Sequence, residues 1–289
     1  MRRFATFFAV LTLIVVGASV SRCHRHAYAA QSGKSTGSWT TSPCGDDDGS
    51  SHYSWWGRQA KVCELRTTTI RVGGQRLGVN AENGGIEVIG EDRGDVRIEA
   101  RVQAWAGSEA DAKNLLKQVT ISTSGDRVRA DGPHFHMNSG YDASYKIRVP
   151  RQFAVDLKTL NGGIDIAHLD GEIRFDTTNG GVGLNDLAGD VRGSTVNGGL
   201  DIALTGDKWR GQGLNAETTN GGVTLKIPER YSAHLETSTV NGGISLGFPI
   251  TVQGEIKNSI STNLGGGGPT IHAETTNGGV EIERAGGAN

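Results

Sequence analysis

The sequence predicts an all-β protein: a single parallel β-helix, or β-solenoid, with about 18–23 residues per coil and one short helix in an N-terminal capping excursion. Three observations predict it. Asn-Gly-Gly occurs seven times, beginning at Asn83, Asn161, Asn179, Asn197, Asn220, Asn241 and Asn277, at steps of 78, 18, 18, 23, 21 and 36 residues. After each triplet an aliphatic residue, a residue that is never large and apolar, and a second aliphatic residue follow, as in Ile164-Asp165-Ile166 and Leu200-Asp201-Ile202. Such alternation marks a short strand with one buried face. Two residues before the Asn stands Thr in six copies, with Ala81 the exception, so the approach to the turn is also extended.

A repeat of this length is too short for a four-stranded propeller blade and lacks the Leu/Asn pattern of a leucine-rich repeat. It fits strand, corner, strand, corner: Ile164-Asp165-Ile166, a corner from His168 to Gly171, then Glu172 to Asp176. Stacked coils would set Asn above Asn in an amide ladder, with glycines taking the positive φ of the corner. An antiparallel meander with Asn-Gly hairpins is the alternative. It explains the turns but not one triplet per coil-length. The last step, twice the shortest, reads as two coils.

Residues 1–29 read as a secretory signal. Arg2 and Arg3 precede an apolar run from Phe4 to Val16, and Ala27-Tyr28-Ala29 supplies a cleavage pattern. An uncleaved anchor is the rival, since the run reaches 17 residues if extended to Val20. Lipid attachment at Cys23 is a third option, poorly matched by Arg22. No later stretch could cross a bilayer, so no membrane span is expected in the mature chain. Removing residues 1–29 takes away four Arg and no acid, leaving a net charge of −6. That argues against a nucleic-acid backbone as partner.

Residues 30–64 form a polar extension bounded by Cys44 and Cys63, an even pair that favours a disulfide in an exported chain. Asp46-Asp47-Asp48 within it reads as a solvated turn, because calcium needs six to eight oxygens at set spacing. Trp55-Trp56 either stacks on sugar rings or anchors the extension by packing. Residues 65–289 form the solenoid. Its excursion, residues 95–150, carries strands at Asp95 to Val102 and Val119 to Thr123. Between them Ser108-Glu109-Ala110-Asp111 opens a capped helix. Val149-Pro150 and Ile227-Pro228 each lead into a coil, and Phe248-Pro249 opens a degenerate copy ending in Gly265 to Gly268, an irregular terminal coil.

Chemistry-bearing constellations are sparse. The outward row of the post-corner strand reads Glu87, Asp165, Gly183, Asp201, Thr224, Ser245 and Glu281. Asp165 and Asp201 would stand two coils apart, about 10 Å, just beyond the ~6.5–9.5 Å of an inverting carboxylate pair. Calcium-binding nonapeptide repeats require the Asp in successive turns, and it is missing at Gly183, Thr224 and Ser245. His134 and His136 could supply half a zinc site, without Cys or a Glu-containing His motif nearby. There is no Walker motif, dinucleotide fingerprint or Gly-x-Ser-x-Gly elbow. No catalytic residue, metal or cofactor is expected.

The Thr-x-Asn-Gly-Gly-Val/Ile pattern, the Val-Pro lead-in and the exported start resemble the bacterial putative-adhesin family. These are envelope proteins of unknown molecular function, related to head domains of putative autotransporter adhesins. The resemblance covers roughly Leu65 to Glu283. It implies a parallel β-helix and offers no catalytic residues. The expectation is therefore a non-enzymatic cell-envelope module, periplasmic or at the cell surface, that binds or scaffolds an envelope protein or polysaccharide. A β-helix carbohydrate-active enzyme is the alternative.

Overall fold

The structure is a computed structural model describing residues 38–45, 59–71, 73–74, 76–133, 138–249 and 257–286. The signal segment, Asp46–Asp48, Trp55, Trp56, His134 and His136 lie outside the described residues. In chain order the strands before the regular repeat are β1 (Thr40–Pro43), β2 (Ala60–Ile70), β3 (Arg76–Asn83), β4 (Ile86–Glu91) and β5 (Val96–Ala106). Helix α1 (Glu109–Gln118) follows, then β6 (Thr120–Ser122), β7 (Arg127–Asp131) and β8 (Gly140–Pro150). The repeat proper gives β9 (Ala154–Asn161), β10 (Ile164–Ala167), β11 (Asp170–Asn179), β12 (Val182–Asn185), β13 (Ala188–Asn197) and β14 (Leu200–Ala203). It continues with β15 (Gly213–Asn220), β16 (Val223–Ile227), β17 (Ala233–Asn241), β18 (Ile244–Leu246), β19 (Ser259–Leu264), β20 (Thr270–Asn277) and β21 (Val280–Arg284).

Each Asn-Gly-Gly turns the chain from one sheet to the other. The pre-corner strands lie in a ten-stranded sheet ordered β19-β17-β20-β15-β13-β11-β9-β3-β7-β6. The post-corner strands lie in an eleven-stranded sheet ordered β1-β2-β5-β8-β4-β10-β12-β14-β16-β21-β18. Successive repeats pair in parallel and in register, Ile164 beside Val182 and Val182 beside Leu200. Alternation points Ile164, Ile166, Val182, Leu184, Leu200 and Ile202 inward, where both sheets share one aliphatic core. The outward neighbours are the polar or small residues of the motif, so burial follows directly from period-two patterning.

The expected single β-helix is met only at a coarser level: the protein is nearly all-β, with two mostly parallel sheets that are not closed into one wall. The sheets also depart from chain order. β20 and β21 insert between β15/β16 and β17/β18, so the final 36-residue step is not two successive stacked coils. The cause is β19, which runs antiparallel along the outer edge of β17. Gly265, Gly267 and Gly268, all at positive φ, then reverse the chain and return it to the inner position.

The excursion extends both sheets past β3 and β4. β8 pairs parallel with β4, while β5 and β2 add antiparallel strands beyond it, β2 matching β5 along its full length. Ser108 caps α1 by accepting from the Asp111 N–H at 3.2 Å. At the other end the Arg66 guanidinium donates to the carbonyls of Leu116 and Val119, satisfying groups that a helix C-terminus leaves unpaired. A disulfide joins Cys44, after β1, to Cys63 in β2.

Candidate functional site

The corners are built by three residues acting on one another. All seven corner asparagines form one ladder of six bonds, each Nδ2 but that of Asn83 donating to the Oδ1 of a neighbour: Asn161 to Asn83, Asn179 to Asn161, Asn197 to Asn179, Asn220 to Asn197, Asn277 to Asn220 and Asn241 to Asn277, at 2.8–2.9 Å. The ladder follows spatial order, with Asn277 between Asn220 and Asn241. Beneath it, Thr159, Thr177, Thr195, Thr218, Thr239 and Thr275 are buried, and each hydroxyl donates to the first-glycine carbonyl of the adjacent corner at 2.7–3.0 Å. Ala81 breaks the pattern because its coil is the first of the stack, with no Asn-Gly-Gly corner beyond it.

The glycines are required for a different reason from the positive φ expected of them. Among the first glycines only Gly84 has positive φ, at 136°. At Gly162, Gly180, Gly198, Gly221, Gly242 and Gly278 a Cβ would instead run into the first-glycine carbonyl of the neighbouring corner. Close backbone approach, rather than handedness, excludes every side chain there.

The outer face of the eleven-stranded sheet holds a groove of about 1020 Å³ across β4, β10, β12, β14 and β16. Its floor is low because Ala167, Gly183 and Ala203 put almost nothing above the backbone. Polar groups rise along it: Glu87, Asp165, Asn185, Asp201, Thr224 and Lys226. In-register pairing places Asp165 beside Glu87 on one side and Gly183 on the other, with Asp201 next. Gly183 therefore separates the two aspartates by two strand spacings.

Their environments differ. Partial burial, reinforced by the neighbouring Glu87 charge, pushes the Asp165 carboxyl above its ordinary range. Asp201 instead receives the Lys226 ammonium at 3.2 Å, a pairing between β14 and β16. Lys146 of β8 pairs Glu87 at 2.8 Å and closes the row at that end. At the rim, His168 and Asp186 occupy equivalent corner positions, both with positive φ, and meet at 2.8 Å. Burial would raise the Asp186 carboxyl, but hydrogen bonds from His168 and Thr205 outweigh it and hold the group below its ordinary value.

The outward row named from sequence thus lines the groove in part, through Glu87, Asp165, Gly183, Asp201 and Thr224, while Ser245 and Glu281 lie further along the sheet on β18 and β21. The pairing of Lys226 with Asp201, and the His168–Asp186–Thr205 chain, were not anticipated. Two-residue alternation put Lys226 on the correct face, but its partner lies 25 residues away. No helix among the described residues is long and apolar enough to cross a membrane.

In-register parallel strands, an asparagine ladder at every corner and a polar outer face define a repetitive all-β stack. The chain belongs to the Toastrack DUF4097 family, whose profile matches residues 91–283. This agrees with the resemblance to putative-adhesin proteins of unknown function. Its fold is similar to that of a putative cell adhesion protein from Clostridium sporogenes, with 12% identity, 76% of this chain and 100% of that chain covered, and a TM-score of 0.41. A putative adhesin from Bacteroides fragilis matches with 12% identity over 76% of this chain and 97% of that chain, at a TM-score of 0.34. A putative lipid binding protein from Parabacteroides distasonis matches with 8% identity over 76% and 96%, at 0.21. Among curated proteins none matches.

Proposed function

We propose that this chain is an exported, non-enzymatic envelope module of the adhesin-like kind, a solenoid-like stack whose groove takes an extended polar partner. The observation that carries the reading is the groove itself: a long, shallow floor of Ala167, Gly183 and Ala203 flanked by hydrogen-bonding side chains at strand spacing. Such a surface suits many weak polar contacts along a chain-like ligand, a polysaccharide first and an extended segment of an envelope protein second. Export is supported by the apolar N-terminal run and by the Cys44–Cys63 disulfide, a bond that persists in oxidising compartments. No cofactor enters this reading.

The enzyme reading has one observation in its favour. Asp165 is held toward the protonated form while Asp201 faces an ammonium, the inequality that acid–base pairs use. Against it stands the separation of two strand spacings, about 10 Å between backbones.

One experiment separates the two. The protein is titrated with a panel of acidic and neutral polysaccharides, and the same mixtures are assayed for new reducing ends or unsaturated products. Gly183→Gln fills the floor, where its Cβ meets only the mobile Asp165 carboxylate end. The binding reading expects at least tenfold weaker binding by this variant at unchanged melting temperature, without turnover by either protein. Equal binding by the variant contradicts the groove. Turnover that disappears in Asp165→Ala or Asp201→Ala establishes the enzyme instead.

A further inference from the structure

The outer face of the ten-stranded sheet carries a second constellation. Two His-x-Glu pairs, His234/Glu236 on β17 and His272/Glu274 on β20, lie side by side because β17 and β20 pair in parallel, and the insertion of β20 next to β15 brings Glu217 alongside. Register sets Glu236 beside His272 and Glu217 of β15 beside Glu274. One ligand atom each from Glu217, His272 and Glu274 lie within 4.8 Å of one another.

The spacing and the surroundings both suit a metal. Two ligands of a tetrahedral zinc ion, each about 2.0–2.1 Å from it, stand about 3.4 Å apart. His272 Nε2 and Glu274 Oε2 are 3.4 Å apart. The other imidazole nitrogen, Nδ1, faces the Glu236 carboxylate at 3.6 Å, and Glu236 is itself 3.1 Å from His234 Nε2. At 3.6 Å Glu236 stands just beyond hydrogen-bond reach of Nδ1, and a carboxylate on that side favours the tautomer that leaves Nε2 free to bind. The Ser238 hydroxyl donates to Glu274 Oε2 at 3.1 Å and the Asn215 amide donates to Glu217 Oε1 at 3.2 Å, steadying both carboxylates. Asn215 Oδ1 is buried without a donor among the described residues, adding an electron-rich oxygen beside the cluster.

Charge points the same way. Elsewhere on this face Glu172 pairs with Arg76, Asp190 with Arg174 and Asp176 with Lys158. Among the described residues, the ion pairs of Glu236 and Glu274 are with histidine alone, and Glu217 has none. Among the described residues none of these three carboxylates has a guanidinium or ammonium partner, so the cluster is short of positive charge, which a divalent ion supplies.

We propose that Glu217, His272 and Glu274 ligate a divalent transition-metal ion, with Zn²⁺ best fitted, and that Glu236 orients His272. The mixed nitrogen and carboxylate set selects Zn²⁺ over Ca²⁺ or Mg²⁺, which prefer all-oxygen shells of higher coordination number. The site lies on the sheet opposite the groove and does not rest on the groove's function.

The test is calorimetric titration of the full chain with zinc chloride and, separately, calcium chloride. The expected result is a Zn²⁺ component weakened at least tenfold by His272→Ala and by Glu217→Gln, and unchanged by His168→Ala at the corner after β10. Circular dichroism verifies that each variant is folded. Other histidines in the chain can add weaker components, so the reading is the part that His272→Ala removes. A Zn²⁺ isotherm identical in the unaltered protein and in both folded variants, or calcium binding that His272→Ala abolishes equally, overturns the assignment.

Discussion

At the scale of the residue, the corner is the informative unit. Asn, the first Gly and the Thr two positions earlier each do one job: the amide bridges corners, the missing Cβ allows backbones to approach, and the hydroxyl satisfies the carbonyl that this approach buries. The motif was legible because every copy repeats it, but its physics was only half legible. Positive φ is the common reason for glycine in a turn, whereas contact with a neighbouring coil shows only when coils are stacked. The two glycines of one corner therefore differ in a measurable way. Gly180→Ala drives a Cβ into the Gly162 carbonyl and is expected to cost about 3 kcal/mol or more in unfolding free energy. In Gly181→Ala the nearest atom is the Gly199 carbonyl at 3.5 Å, ordinary contact, and the change is expected to stay within about 1 kcal/mol. Denaturant unfolding of both variants checks this; equal effects would contradict the close-approach account.

At the scale of the element, alternation made the short strands and their buried faces readable from sequence. Ile166 is 1% exposed in the common core, and Ile166→Asp is expected to cost more than about 4 kcal/mol or abolish folding, because its charge has no partner there. Lys226→Ala on the outer face loses only an exposed pairing with Asp201 and should stay within about 1 kcal/mol. Comparable losses in the two variants would show that the faces are misassigned. The antiparallel strands were less readable, since β5 and β8 alternate as the parallel strands do and nothing local gives their direction. The His-x-Glu pairs on β17 and β20 were missed, although residues two apart on a strand share a face; their convergence depends on two strands separated by β19 in the chain.

At the scale of the whole molecule, the order of the last coils is the feature that local sequence cannot encode. Thr239 and Asn241 offer β15 the same contacts that Thr275 and Asn277 make, so the corner motif is degenerate between the two arrangements. The antiparallel return of β19 and the glycine-rich reversal after it place β20 and β21 inside. Both surfaces described above depend on in-register parallel stacking, and the metal cluster depends also on that exchange. Site-directed cross-linking tests this most directly. Thr224 of β16 is registered against Glu281 of β21, and Glu281 lies between it and Ser245 of β18. Adjacent strands stand about 4.8 Å apart, within disulfide reach, and strands two apart do not. The account predicts that Thr224→Cys with Glu281→Cys oxidises readily to a disulfide, identified by peptide mass mapping, while Thr224→Cys with Ser245→Cys does not. Efficient bridging of residues 224 and 245, with none between 224 and 281, would restore chain-order stacking and contradict it.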